Sequence, residues 1–446
     1  MTEHNMLAGF AEVDFTPPPG LNLLGQMHAR RAERARDPLM ATACALQSSG
    51  QTMVLLSVDI CILPLPFAAD VQEMFERETG IPARSLLIHA THTHDAPSVI
   101  PLLSAPPDPT FVEQLRRSIV DAARRAIADL RPVQIFAGSG TMEHLGWNRR
   151  AMFKDGSSRM YGHSEMPGFE GIEGPRDPTL SLLVARDEQG VIAGIILNFS
   201  SHPNCIENAS VYSADLPGAA RRALRRLLDA PVPIVYLTGA AGNTAPSLLD
   251  PHVPEQPWRG EDGLERSGIY LAGEAGKIIA GCWEPMIAPA LDLAQEVISL
   301  PLRNWPASDD ANYPEPLKTD SWADAVGYYR AAEADWPRLV AGDSPEPLRL
   351  SVLRVGDAAI CFNPAELFVE YGLEIRAESP ARVTMIAELT DGYAGYVPTR
   401  RSLGRGGYET WPAPTSRLSV ESGEKIVQST RRLLKRAFND RPRHSP

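Results

Sequence analysis

The sequence predicts an α/β protein with mixed β-sheets and surrounding helices. Two observations carry this. Runs rich in Val, Ile and Leu recur along the chain without strict apolar–polar alternation, as in strands covered on both faces. Between many of them lie segments with apolar residues at three- and four-residue steps, the spacing of a helix with one buried face.

In chain order the strand-like runs are 52–60, 84–90, 132–138, 180–187, 191–200, 233–239, 349–356 and 358–363. Helices are expected near 67–79, 109–130, 217–229, 262–282, 321–339, 365–378 and 419–438. The clearest begins at Pro109. Asp108 is placed to cap it, proline suits the first helical position, and Phe111, Leu115, Ile119, Ala122, Ala126 and Leu130 form one stripe. Pro/Gly-rich stretches at 97–109, 247–263 and 303–320 read as long loops inserted in a single domain over 1–446, with no further domain expected after the last helix.

The chain of 446 residues is 43% hydrophobic and 22% charged, which suits a soluble protein with a large core. Its net charge of −12 argues against nucleic acid and anionic lipid as partners, because both demand clustered Lys and Arg. The basic runs "RRAERAR" (30–36) and "RRALRRLL" (221–228) are short, and the second falls on an expected helix as a solvated face. No apolar run approaches the ~20 residues of a membrane span, and the opening residues lack a signal-peptide pattern. Five dispersed cysteines, without CxxC, read as buried free thiols in a reducing cytoplasm. The expected partner is a small-molecule substrate; self-association into a homo-oligomer is left open.

The chemistry concentrates in short segments. "HATHTHDAPS" (89–98) follows an apolar strand and leads into proline-rich loop. In extended backbone His92 and His94 share a face and His89 takes the other. Such a pair serves equally well as metal ligands or as hydrogen-bond partners of loop backbone. The HxHxDH pattern of metallo-β-lactamases is not met, since Asp95 directly follows His94 and Pro97 stands at the third histidine's place. His202 likewise follows an apolar strand, in "NFSSHPNC", and Asp215 precedes "LPG" as a candidate helix cap. "TGAAGNTAP" (238–246) lets backbone or ligand approach closely but is neither a P-loop nor GxGxxG, and the chain has no GxSxG elbow. Glu366 of "NPAELFVEYG" stands at a strand-to-helix junction, where an acid also favours the helix dipole. Tyr393, Tyr396 and Tyr408 lie in the Gly-rich stretch 391–410.

Taken in order, "THTH", "SHP", "AGNTAP", "NPAEL", "GYAGYVPT" and "GYE" resemble the successive motifs of the neutral ceramidase family, as do "AEVDFTPPPGLNLLGQ" and "LLSVDICIL". The similarity spans nearly the whole chain and covers that family's catalytic region, not its C-terminal immunoglobulin-like domain. It implies a neutral-ceramidase-like catalytic domain with one Zn²⁺ per chain. His92, His202, Glu366 and Tyr396 match the metal ligands. His94 matches an acid–base histidine, Tyr408 a hydroxyl that binds the substrate carbonyl, and Arg149 an arginine beside the site, expected to act with Tyr408 as a catalytic residue that stabilises the oxyanion. The family's Gly-Asp-x-Ser-Pro motif falls on Gly242-Asn243-Thr244-Ala245-Pro246. Asn243 and Thr244 are expected substrate contacts, but the family's serine is Ala245, which has no hydroxyl. The nucleophile must then be water activated by the zinc. The expected activity is hydrolysis of an amide, or of an ester or lactone, in a small soluble substrate. The alternative is a catalytically altered member that acts as a metal-containing binding protein.

Overall fold

A computed structural model describes residues 6–103, 105–247, 258–286, 290–303 and 346–439. Fourteen strands matter for the site: β1 (Met6–Asp14), β2 (Met40–Ser48), β3 (Gln51–Val58), β4 (Leu86–Ala90), β5 (Arg131–Thr141), β6 (Thr179–Asp187), β7 (Ile192–Phe199), β8 (Ile234–Thr238), β9 (Leu291–Leu300), β10 (Glu346–Val355), β11 (Ala358–Phe362), β12 (Ala365–Leu367), β13 (Val383–Ala387) and β14 (Gly395–Val397). The helices are α1 (Leu65–Thr79), α2 (Pro109–Ala128), α3 (Asp215–Leu228), α4 (Gly260–Gly281), α5 (Val369–Ala377) and α6 (Ser422–Asn439).

An eight-stranded sheet runs β8-β7-β6-β5-β1-β2-β3-β4, and a four-stranded sheet runs β9-β10-β11-β13. Both are mixed. The pairs β3–β4, β7–β8 and β11–β13 are parallel and the rest antiparallel. Each parallel pair is joined through a helix: α1, α3 and α5 respectively. The two sheets share one apolar layer, in which Phe10, Leu55 and Val235 meet Leu353, Ile360 and Met385. Helices α1 and α2 pack on one stretch of the large sheet, α3 and α4 on another, and α5 and α6 against the small sheet. This layering gives both faces of the large sheet a partner and explains its unbroken apolar runs.

All eight expected strands form. Strands β1, β2, β9, β12, β13 and β14 are additional. The first two are rich in Ala and Gly rather than β-branched residues, and their partner is α2. Ala41, Ala43 and Ala45 pack beneath Ala122, Ala123 and Ala126. A Cβ on Gly9 would fall 2.1 Å from the Ala126 carbonyl oxygen. Small residues thus let α2 lie close on the sheet, and that need overrides strand propensity. Asp108 caps α2 as expected, with Oδ1 accepting the Phe111 N–H at 2.9 Å. The helix expected over 365–378 begins only at Val369, because residues 365–367 pair instead with β14. The helix expected over 321–339 lies outside the described residues, as do 104, 248–257 and 304–320 of the expected loops.

Candidate metal centre

The centre forms where chain leaves the C-terminal ends of parallel strands, the usual place for sites in such sheets. After β4, the Thr91 and His92 N–H groups bond to the carbonyls of Val58 and Ile60. His92 adopts φ +70, in the left-handed region. The rings of His92 and His94 therefore meet, 5.0 Å between centroids, through a local twist rather than the extended pairing expected from sequence. His89 does point elsewhere. Its Nδ1 donates to the Glu388 carbonyl at 2.7 Å and its Nε2 accepts the Thr238 N–H at 3.0 Å. Burial pushes its pKa down to about 3, so it is a neutral structural histidine.

His202 enters from the loop after β7. Its Nδ1 donates to the Ala241 carbonyl at 2.7 Å, while His92 Nδ1 donates to the Cys61 carbonyl at 2.8 Å. Both Nδ1 atoms carry a proton, so each ring in its neutral form presents its Nε2 lone pair; burial favours that form, but Cys61 and Glu366 outweigh it at His92 and raise its pKa well above the ordinary imidazole value. The two Nε2 atoms face each other at 3.0 Å. Glu366 Oε2 stands 3.3 Å from one and 3.6 Å from the other, and no hydrogen-bond donor reaches it. Its other oxygen accepts from the Tyr393 hydroxyl at 2.9 Å. Three electron-rich atoms converging in a buried space repel one another unless a cation lies among them. Imidazoles that donate Nδ1–H to backbone carbonyls are what metal sites use to fix the ligating tautomer. The donor set of two imidazoles, a carboxylate and a phenol suits Zn²⁺.

The parallel pairing of β12 with β14 sets Glu366 directly beside Tyr396. Tyr396 lies almost parallel to the His202 ring, with centroids 6.5 Å apart, and its hydroxyl accepts from Arg149 at 3.2 Å. Burial alone would raise the Glu366 pKa, but His92 and the hydroxyls of Tyr396 and Tyr393 hold it below the ordinary carboxylate value. A second convergence, Cys61 with His92 and His94, lies at the same centre.

A narrow cavity opens onto these groups. His92, His94, Glu366, Tyr396 and Tyr408 line one side, joined by Cys61, Tyr393 and Thr415. Leu24, Gly25, Ile62, Leu102 and Leu103 form the apolar side. Tyr408 packs edge-on against Tyr396, centroids 5.6 Å apart.

Other expected site residues take different positions. Arg149 does not line the cavity. It bonds the Tyr396 hydroxyl at 3.2 Å, Glu409 at 2.9 Å and the Gly242 carbonyl at 3.0 Å. Asn243 and Thr244 are not among the residues that line this cavity. Asn243 accepts the Val369 N–H at 2.8 Å and donates to Glu370 at 2.8 Å, so both ends of its amide hold the start of α5. Thr244 is fully buried and pairs in a short ladder with Asn148, as Ala245 does with Trp147. Asp215 is not the cap of α3. It lies one residue inside the helix at φ +48, and its carboxylate accepts the N–H groups of Cys205 and Ile206, which fixes the loop beyond His202.

The chain is thus an α/β protein with a buried His/Glu/Tyr centre at its strand ends. No family model matches it. A neutral ceramidase from Pseudomonas aeruginosa is 30% identical over 149 residues, a match covering 30% of this chain and only 20% of that protein. The crystal structure of neutral ceramidase from Pseudomonas aeruginosa superposes with a TM-score of 0.74 at 19% identity, over 97% of this chain and 74% of that one. A ceramidase complexed with C2 superposes with a TM-score of 0.76 at 17% identity, over 99% of this chain and 76% of the other. The chain has a neutral-ceramidase-like fold.

Proposed function

We propose that this chain is a zinc-dependent hydrolase that cleaves an amide bond of a small substrate with water as nucleophile. The observation that supports it most is the pair of Nε2 atoms 3.0 Å apart beside Glu366 Oε2, which has no hydrogen-bond partner among the described residues. His92, His202, Glu366 and Tyr396 would hold the metal. When bound, Zn²⁺ supplies Lewis acidity and makes water acidic enough to act as a nucleophile near neutral pH. His94, at the cavity wall, takes up and returns the proton. The Tyr408 hydroxyl donates to the carbonyl oxygen as it gains charge. Arg149 holds the Tyr396 phenol in place. Ala245 supplies no nucleophile.

The narrowness of the cavity, with Leu24, Leu102 and Leu103 in its lining, favours a compact acyl group over a long chain. A panel of N-acyl compounds graded by acyl length, with esters and lactones alongside, tests this reading. Turnover should fall on the longest chains, vanish with a chelator and return with Zn²⁺. Full turnover after metal removal would refute it.

A further inference from the structure

We infer that Glu207 is the positioning residue of His94: it fixes the imidazole with Nδ1–H directed at its carboxylate, leaving Nε2 as the basic nitrogen presented to the cavity. This rests on the hydrolase reading above and adds a residue to it. Glu207 lies in the loop after His202, in a segment that signalled nothing in the sequence. Its Oε2 stands 3.4 Å from His94 Nδ1. At that length the pair is not a closed hydrogen bond, and His94 Nδ1 has no other partner among the described residues. Acid–base contacts are often long before substrate and metal arrive and tighten afterwards.

Everything around the pair is fixed. Arg259 holds one Glu207 oxygen, and Asn204 donates to the other at 3.1 Å. Arg259 lies over the Tyr161 ring, 4.9 Å from its centroid, and Asn204 also donates to the Tyr161 hydroxyl at 2.9 Å. The loop is anchored by Asp215 through the N–H groups of Cys205 and Ile206. On the histidine side, Arg30 grips the His94 carbonyl and the Asp95 carboxylate. Gly25 presses so close that a Cβ there would stand 2.5 Å from His94 Cγ. The ring has little freedom except rotation about its last torsion, and Glu207 stands on the nitrogen that such rotation would move. One cation, Arg259, and one amide, Asn204, hold the buried carboxylate, and a second cation, Arg30, holds the backbone of the imidazole. A carboxylate there selects the Nδ1–H tautomer and stabilises the imidazolium that forms when Nε2 accepts a proton.

The test uses the zinc-loaded full chain with ¹⁵N-labelled histidine. Wild type should show His94 as the Nδ1–H tautomer. Glu207→Ala should lose that signature, and Glu207→Gln, whose amide oxygen still accepts, should keep it. In turnover, Glu207→Ala should lower kcat by about 10- to 100-fold, the range for groups one step behind a site, with KM and zinc content unchanged. In a His94→Ala background it should cost nothing further, since it acts only through that ring. An unchanged His94 tautomer in Glu207→Ala, loss of zinc, or a full additive loss in the double variant overturns the assignment. The tautomer measurement needs no substrate, so it stands even if the proposed hydrolysis fails.

Discussion

Removing the Tyr408 hydroxyl separates catalysis from metal binding. Tyr408 lines the cavity, and its ring packs against Tyr396 and Trp411 with centroids 5.6 and 6.1 Å apart. Tyr408→Phe keeps that packing and removes one oxygen. None of His92, His202, Glu366 or Tyr396 changes, so zinc content and fold should be those of wild type. A donor that acts mainly on charge developing in the transition state costs about 10²–10³ in kcat when lost, roughly 3–4 kcal/mol. His92→Ala is the contrast. It removes one of the two facing Nε2 atoms and should lower zinc occupancy and turnover together. Both proteins are assayed for bound zinc by elemental analysis and for kcat on the best substrate of the acyl panel. If Tyr408→Phe turns over like wild type, the hydroxyl has no part in the reaction. If it loses zinc, Tyr408 supports the ligand shell and the assignment of Tyr396 as the phenolic ligand is wrong.

Gly25→Ala should impair the same site by steric means: its φ of +123 disfavours any side chain, and the new methyl would collide with His94, so kcat falls while zinc is retained; wild-type kcat would show that the Leu24–Gly25 turn moves freely. Ala245→Ser should leave the water-based reaction intact and produce no acyl-enzyme, because position 245 is buried in a pairing with Trp147 away from the cavity; mass spectrometry that detects a serine adduct would contradict this. Asp391 gives a pH signature of stability. Burial raises its pKa from 3.8 to about 6, so the folded chain holds the proton more tightly than the unfolded one. Its stabilising contribution is complete below about pH 4 and is lost as pH rises through about 6, up to about 3 kcal/mol in all. Asp391→Asn still accepts the Ile88 N–H that Asp391 takes at 2.9 Å and tolerates the φ of +58, so it should flatten this decline in chemical denaturation; an unchanged decline would place the effect elsewhere.

Legibility of the sequence followed the physics of each segment. Buried parallel strands such as 234–238 announce themselves by apolar runs, and α2 by its stripe and cap. Strands β1 and β2 do not, because their Ala and Gly content answers to the close approach of α2, a tertiary demand without a local pattern. The metal centre was readable as separate donors after apolar strands. What joins them, the left-handed backbone at His92 and the Glu366–Tyr396 register, exists only once β12 pairs with β14. Cys61, Glu207 and Glu409 reach the site or its support through folding alone. Tyr393 stood in view in the sequence, three residues before Tyr396, but a tyrosine in a Gly-rich loop has no pattern that tells packing from support of a carboxylate.

The segment 242–246 shows how a stretch of small residues can brace the strands that carry candidate ligands. A Cβ on Gly242 would lie 2.4 Å from the Glu366 carbonyl oxygen, and the Gly242 N–H bonds to the Leu367 carbonyl at 3.0 Å. The Gly242 carbonyl accepts from the same Arg149 group that reaches the Tyr396 hydroxyl. Asn243 carries the start of α5 immediately after Glu366. One turn of backbone therefore braces the carboxylate strand on one side and the arginine behind the phenol on the other. Gly242 is constrained because β12 leaves no room for a side chain. Position 245, paired with Trp147 and away from the cavity, is under no such demand to carry a hydroxyl. Alanine at 245 is thus compatible with the convergence of His92, His202 and Glu366, and the proposed chemistry rests on the groups that line the cavity, His94 and Tyr408, with the converging candidate ligands.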